Sequence, residues 1–128
     1  MGFRLKTSKR TKELFDLMTS SSSLKPYTLS RLAIAFSLND PQPIDDYKND
    51  DATGMELQRS TVTGEYDAMY KSLLEIDLNR TLTDDEFYPT YTKLHIDRGM
   101  ELLYNRYQYS GNSLQKFLSS LLTKGDVI

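Results

Sequence analysis

Basic side chains are concentrated near the start of this sequence, and they are its best candidates for binding a polyanion. Residues 1–39 carry seven basic and two acidic side chains, a net charge of +5, whereas residues 40–90 carry four basic and thirteen acidic side chains, a net charge of −9. This segregation favours a polyanion-binding face beside an acidic face, which is either solvated or meets a basic partner. If the polyanion is DNA, the candidate contacts are Arg4, Lys6, Lys9, Arg10, Lys12, Lys25, Thr28 and Arg31.

Residue types suited to catalysis are sparse. The chain has no cysteine and one histidine, His95, which lies between Leu94 and Ile96 in a predicted helix, where a structural role is more common than a catalytic one. Glu65 and Asp67 could join His95 in binding a metal ion, which leaves a metal-dependent nickase as an alternative. No phosphate-binding glycine loop and no serine nucleophile motif is present. We therefore expect a protein that is not an enzyme and that needs no cofactor or metal.

A cluster of tyrosines near the C-terminal end allows two interpretations. Tyr104, Tyr107 and Tyr109, together with Arg106, could stack on exposed bases of a nucleic acid. Such clusters more often form a half-buried protein interface, because tyrosine covers area while its hydroxyl stays hydrated. The interface is the favoured interpretation.

The basic segment maps onto a predicted strand followed by two helices. Residues 3–7 alternate apolar and basic side chains, which predicts a short strand, and Ser8 is placed to cap a helix reaching about Thr19. The serines at 20–23 predict a turn, and Thr28 is the predicted cap of a second helix through residue 38. This order is typical of a ribbon-helix-helix protein, whose strand pairs with the same strand of another copy. It predicts a homo-oligomer.

The rest of the chain predicts a mainly helical fold, with one domain spanning residues 1–128. The remaining predicted elements are an acidic surface loop at 39–54, an extended stretch at 55–62, a helix at 66–78, a capping box at Thr83–Glu86, a helix kinked at Pro89 and ending near Tyr107, and a last helix at 111–125, capped by Asn112 and stopped by Gly125. No apolar run is long enough to cross a membrane, so we expect a cytoplasmic protein without membrane contact.

Three blocks of this sequence resemble the DndE family, small accessory proteins of bacterial and archaeal DNA phosphorothioation systems. The blocks are Phe3–Lys9 with Leu14, Arg31–Ala33 and Ser37–Leu38; Glu56–Thr61 with Gly64–Glu65–Tyr66 and the Tyr70, Leu73, Leu74 helix; and Leu94–Gly99 with Leu102–Leu103. The acidic loop at 39–54 and the last helix depart from the family pattern.

The resemblance implies a helical protein that oligomerises, binds DNA with a preference for nicked duplex, and joins the other modification proteins of its system. Sulfur mobilisation and the ATP-using step belong to partners, since this chain has neither cysteine nor nucleotide motif. The lysines that match the DNA contacts of the family are Lys6, Lys9 and Lys12, with Lys25 as a further candidate.

The family blocks also contain residues with a predicted structural role: Gly64, Glu65, Tyr66, His95 and Arg98. Gly64 can supply a tight turn. Glu65 could accept a charge-assisted hydrogen bond from Arg98 and so brace the third predicted helix against the fourth.

Two further alternatives remain open at this stage. The chain could be a ribbon-helix-helix transcription regulator, which would protect a defined operator. It could also be a scaffold whose acidic 40–90 region binds a basic partner while the protein itself ignores DNA.

Overall fold

The computed structural model describes the backbone of residues 2–127 and the side chains of residues 2–122, and it confirms a mainly helical fold with a short N-terminal strand. In chain order the elements are β1 (Arg4–Lys6), α1 (Lys9–Ser22), α2 (Pro26–Leu38), a 3₁₀ turn (Ile44–Asp46), β2 (Glu56–Gln58), α3 (Arg59–Val62), a second 3₁₀ turn (Gly64–Tyr66), α4 (Asp67–Leu78), α5 (Asp84–Glu86), a π-helical turn (Phe87–Thr92), α6 (Lys93–Tyr109) and α7 (Leu114–Val127).

The partner of β1 is a strand of the same chain. β1 and β2 are antiparallel, with Leu5 opposite Leu57 and Lys6 opposite Glu56. Both leucines are buried, so the ribbon has one apolar face against the core and one polar face in solvent. The prediction that this strand pairs with another copy is therefore wrong, and the ribbon-helix-helix argument for a homo-oligomer loses its basis.

The first helix begins where the sequence predicted and ends later. The Ser8 hydroxyl accepts the Thr11 backbone N–H, which confirms the N-cap. The predicted serine turn is wrong, because α1 continues to Ser22 and only Ser23 adopts a left-handed conformation, with φ 66°. Ser22 Oγ donates to the Met18 carbonyl at 2.7 Å, so the hydroxyl of this last helical residue has its hydrogen-bond acceptor within the helix.

The second helix starts earlier than predicted. Pro26 is its first residue and Lys25 its N-cap position, so Thr28 lies within the first turn instead of capping it. Proline suits this place because it has no backbone N–H to leave unpaired and its φ is already helical. The helix packs against α6, and an added Cβ on Gly99 would lie 1.8 Å from the Ala33 carbonyl oxygen. Only glycine permits this close approach.

The long helix α6 forms the centre of the core, with α1 and α2 packed on it. The capping box at Thr83 and Glu86 is confirmed. The chain then forms a π-helical turn that contains Pro89, and α6 begins directly after it. Proline cannot donate to the helical ladder, which accounts for the predicted break. The largest buried side chains around α6 are Tyr88, Tyr107, Phe15, Phe87 and Phe117.

The acidic loop and the last helix complete the fold. Ile44 is buried in its 3₁₀ turn, and Asp51 accepts the backbone N–H of Lys9 at 3.0 Å, so the loop is anchored to the start of α1. After Gly111, which has φ 71°, the Ser113 hydroxyl accepts the Lys116 N–H, and it does so in place of the predicted cap Asn112. The last helix also continues beyond Gly125, so the prediction that this glycine ends the helix is wrong.

Candidate nucleic-acid interface

Three of the predicted DNA-binding lysines follow one another along the surface from β1 into α1. Lys6 projects from the solvent face of the ribbon, and Lys9 and Lys12 are three residues apart in the first turns of α1. All three are exposed, and none forms an ion pair with the side chains described here. These are the cations most available to a phosphate.

Two arginines in the same region are already paired with carboxylates. Arg4 lies 3.8 Å from Glu56 across the ribbon, and Arg10 lies 3.7 Å from Glu13 and 3.2 Å from Glu101. The paired groups are 40 % or more exposed, and ion pairs in water contribute little because solvent screens them. A phosphate can therefore compete with the carboxylates for these arginines. Binding an arginine requires its ion pair to open first, whereas the three lysines have no such pair with a described side chain.

The other predicted contacts do not join this group. Arg31 donates from Nε to the Val62 carbonyl at 2.8 Å and from a terminal nitrogen to the Thr61 carbonyl at 3.0 Å, so it holds α2 against α3. Lys25 and Thr28 lie at the start of α2, beyond the far end of the fourteen-residue α1. A helix of that length is about 21 Å long, which separates them from Lys9.

A buried carboxylate holds the start of α1 in place. Asp97 Oδ1 accepts the Ser8 N–H at 3.0 Å and the Thr11 hydroxyl at 2.6 Å. Its Oδ2 pairs at 2.7 Å with Lys93, whose ammonium group also donates to the Asn49 carbonyl at 2.7 Å. This cluster links α6, the acidic loop and the basic segment.

Sequence reasoning missed the role of Asp97 and Lys93. The signal was available, because an acidic and a basic residue four apart in a helix can pair on one face. Both side chains are almost fully buried, which the sequence around them does not reveal.

The single histidine is part of a second buried cluster on α6. Arg98 donates from Nε to Ser37 Oγ at 2.8 Å, and Ser37 Oγ lies 2.7 Å from His95 Nδ1. Since the guanidinium can only donate, the serine hydroxyl is free to donate to Nδ1, which places the imidazole proton on Nε2. Burial and the nearby Arg98 charge lower the pKa of His95 to about 3, so the ring is neutral at neutral pH.

The predicted pairing of Glu65 with Arg98 is not formed. The terminal guanidinium nitrogens of Arg98 donate to the Gln42 and Ser37 carbonyls, both at 2.7 Å, whereas Glu65 is exposed. Gly64, with φ 52°, does supply the predicted turn, and the neighbouring Tyr66 is also exposed.

The ion pair that braces this region is Arg59 with Asp67. Two guanidinium nitrogens of Arg59 contact the two carboxylate oxygens of Asp67 at 2.8 and 2.6 Å, and a third nitrogen donates to the Gly2 carbonyl at 3.1 Å. This bidentate bond, helped by the Thr63 hydroxyl, lowers the pKa of Asp67. It ties α4 to the segment that precedes β1.

The residues considered for a metal-dependent nickase are not brought together. Asp67 is held by Arg59, His95 is buried in its cluster with Ser37, and Glu65 faces solvent. Across the part of the chain that the structure describes, no three histidine or acidic side chains are grouped so that they could hold a metal ion.

The tyrosine cluster is divided between core and surface. Tyr107 is buried, packs edge-on against Phe117 and donates to the Asn112 carbonyl at 2.9 Å, whereas Tyr109 is 93 % exposed. Tyr104 is half-buried, and its hydroxyl accepts from Gln108. Because Tyr107 is in the core, the three rings cannot stack on bases together.

A cleft of about 760 Å³ lies beside the basic segment. Its walls come from β1, the acidic loop and the π-helical turn, and they carry both signs of charge. The lining residues that bear on binding are Arg4, Lys6, Lys48, Asp45, Asp50 and Tyr91. Tyr91 donates to Asp45 at 2.7 Å, so this aromatic side chain is already fixed within the wall.

Within the described residues, no helix combines the length and the apolar character that crossing a bilayer demands.

Comparison with known proteins assigns the chain to a family. No curated protein sequence gives a significant match. The crystal structure of DndE from Escherichia coli B7A, described as involved in DNA phosphorothioation modification, is 19 % identical, with a TM-score of 0.62 over 78 % of this chain and 93 % of that one. The DndE G21/24K mutant is 18 % identical, with the same TM-score over 82 % and 99 %. At this identity the two structures show a shared fold. The family described as DNA sulphur modification protein DndE matches residues 4–110, and the chain belongs to this family.

Proposed function

We propose that this protein is a DNA-binding accessory subunit of a DNA phosphorothioation system and that it contacts the backbone of duplex DNA through its N-terminal cations. The observation that carries the proposal is the run of exposed lysines at Lys6, Lys9 and Lys12, which form no ion pair with any side chain that the structure describes. Membership of the DndE family and the description of the related crystal structures as involved in phosphorothioation support the choice of DNA as the polyanion.

The chemistry of this surface favours backbone contact over the reading of bases. Asparagine and glutamine, which pair with adenine, are absent from residues 1–38, and a lysine ammonium binds phosphate as a point charge. Each neutralised phosphate releases condensed cations, so affinity falls steeply as salt rises. Arg4 and Arg10 add to the lysines once their exposed ion pairs open, while Lys25 and Thr28 provide a second contact at the start of α2.

The proposal extends to nicked duplex, to self-association and to the other proteins of the system, each because of the family resemblance. A nick makes a duplex easier to bend, and a flexible duplex can follow a curved protein surface at lower deformation cost. Self-association would repeat the lysine run and multiply its phosphate contacts.

A salt-series binding titration on intact, nicked and single-stranded DNA tests the proposal. Changing Lys6, Lys9 and Lys12 to alanine together should reduce the slope of log affinity against log salt by about one per lost phosphate contact, on duplex of any sequence. Lys116→Ala, which removes an exposed lysine on α7, is the matched control and should leave the slope unchanged. A triple variant with wild-type slope and affinity would refute the proposed contact surface.

The proposed role is non-catalytic. Supercoiled plasmid incubated with the protein and magnesium or manganese should stay supercoiled. Metal-dependent nicking of the plasmid by the wild-type protein that is lost in the Asp67→Asn variant would instead establish a nuclease.

A further inference from the structure

Helix α4 presents an apolar stripe to solvent. Met69, Leu73 and Ile76 recur at intervals of four and three residues, and Tyr66 immediately precedes the helix. These four side chains are 50, 40, 76 and 54 % exposed, respectively. The opposite side of the helix buries Leu74 against the core. A surface helix is normally apolar on one face only, and a second apolar face indicates a second packing partner.

Acidic side chains border this stripe. Glu65 lies in the 3₁₀ turn immediately before Tyr66, and Asp77 follows Ile76 near the end of α4, so the two acids stand at opposite ends of the stripe. Both are exposed, and neither forms an ion pair with a described side chain. Lys71 is the basic residue of α4, and it pairs with Asp84 at 3.7 Å. The face is therefore apolar along its middle and negative at its two ends.

We propose that this face binds an amphipathic helix of another protein, one whose apolar stripe is bordered by lysine or arginine. An apolar helix packs along such a stripe through side chains at matching spacing, and basic borders complete the charge pattern. A second copy of α4 fits poorly, because antiparallel pairing would set Glu65 of one copy beside Asp77 of the other. The inference goes beyond the proposed DNA contact, since it uses a different surface of opposite charge.

Fluorescence anisotropy with two labelled helical peptides tests the inference on the full chain. Both peptides carry the same leucine stripe, bordered by lysines in one and by glutamates in the other. The lysine peptide should bind the protein at least about tenfold more tightly than the glutamate peptide. Changing Glu65 and Asp77 to lysine should reverse this preference, and changing Leu73 and Ile76 to serine should remove binding of both peptides.

Two controls on α1 separate this face from the general surface. Asp16→Lys changes an exposed acid, and Leu17→Ser changes an exposed leucine, and neither variant should alter peptide binding. Circular dichroism of all these variants should match the wild type, and so should DNA titration of the Leu73 and Ile76 double variant, which keeps the charge of the protein, so failure of the DNA proposal and failure of this one are distinguishable.

Two results would overturn the inference. The first is equal affinity for both peptides. The second is a wild-type protein that self-associates in sedimentation velocity while the Leu73 and Ile76 double variant is monomeric, because the occupant would then be another copy of this chain.

Discussion

The charged groups of α6 and those of the N-terminal segment are organised in opposite ways. In α6, Asp97, Lys93 and Arg98 are almost fully buried, and each has defined hydrogen-bond or ion-pair partners. In the N-terminal segment, Lys6 and Lys9 are exposed, and their ammonium groups have no ion pair among the described side chains. Buried charges need fixed partners because desolvation is costly, whereas exposed charges cost nothing to leave unpaired.

The difference indicates that the buried charges stabilise the fold, whereas the exposed ones are available to a ligand. The block Leu94–Gly99, which together with Gly64–Glu65–Tyr66 is the most specific part of the family resemblance, contributes buried structural contacts. The lysines, whose spacing is far less distinctive, are the groups that a ligand can reach. The two sets are connected, since Asp97 holds the backbone from which Lys9 projects.

The largest expected effect comes from breaking the buried cluster. Asp97→Asn leaves the buried Lys93 ammonium without its counter-ion, and we expect the free energy of unfolding to fall by about 3 kcal/mol or more. Urea denaturation measures the change. Asp16→Asn, an exposed acid on α1, is the matched control and should cost less than about 0.5 kcal/mol. Equal costs at the two sites would remove the contrast between buried and exposed charges.

The contact of α6 with α2 gives the next effect. Gly99→Ala places a methyl group against the Ala33 backbone, which cannot move without separating the helices, so we expect a loss of about 1–3 kcal/mol. In Gly64→Ala the added methyl group meets no atom within 4 Å, so we expect the positive φ alone to lower the free energy of unfolding, by about 1 kcal/mol. Thermal unfolding of the two variants compares them. A Gly99→Ala protein as stable as Gly64→Ala would contradict the close packing.

A pH effect distinguishes His95 from the surface. Its pKa is lowered to about 3 in the folded protein and is about 6.5 when unfolded, so the unfolded state binds the proton between these values. Stability should therefore fall with decreasing pH below about 6.5, by about 2 kcal/mol at pH 5. Urea denaturation at pH 7 and pH 5 should show this loss in the wild type and a much smaller one in His95→Gln. Identical pH dependence in both proteins would contradict a buried neutral ring.

The smallest effect is expected at the lysines themselves. Changing Lys6, Lys9 and Lys12 to alanine should alter the free energy of unfolding by less than about 0.5 kcal/mol for each residue, because these exposed side chains make no ion pair within the described part of the chain. Denaturation of the same preparation used for DNA titration provides the measurement. A loss of several kcal/mol would show that these side chains support the fold, and any change in DNA binding would then have to be reinterpreted.

Local sequence patterns predicted some local features of this fold and missed others, such as the true caps of α2 and α7. The Ser8 cap, the capping box at Thr83 and the break at Pro89 each depend on residues within one helical turn, and each is present. The predicted serine turn is wrong because serine disfavours a helix only weakly and tertiary contacts can override that preference. Ser21 contacts the Tyr107 hydroxyl and the Asn112 carbonyl, and Ser22 donates to the Met18 carbonyl.

Features that depend on distant residues were not predictable in the same way. Nothing near β1 indicates that its partner is β2, some fifty residues later. A strand without a visible partner in its own segment therefore predicts pairing with the same strand of a second copy. In the same way, the number of charges alone could not show that Arg31 donates to backbone carbonyls while Lys12 has no ion pair among residues 2–122. Tertiary structure decides which cations remain available.

The long-range ties of the N-terminal segment have a consequence for synthesis on the ribosome. The segment is made before its packing partners, because β1 gains its partner only once residues 56–58 have been made, and Ser8 gains its acceptor only with Asp97. Contacts this far apart in the chain form late and slow folding. The basic segment is thus translated well before it can be fully ordered, and a chain terminated before α6 would lack the Asp97 contacts that hold the start of α1.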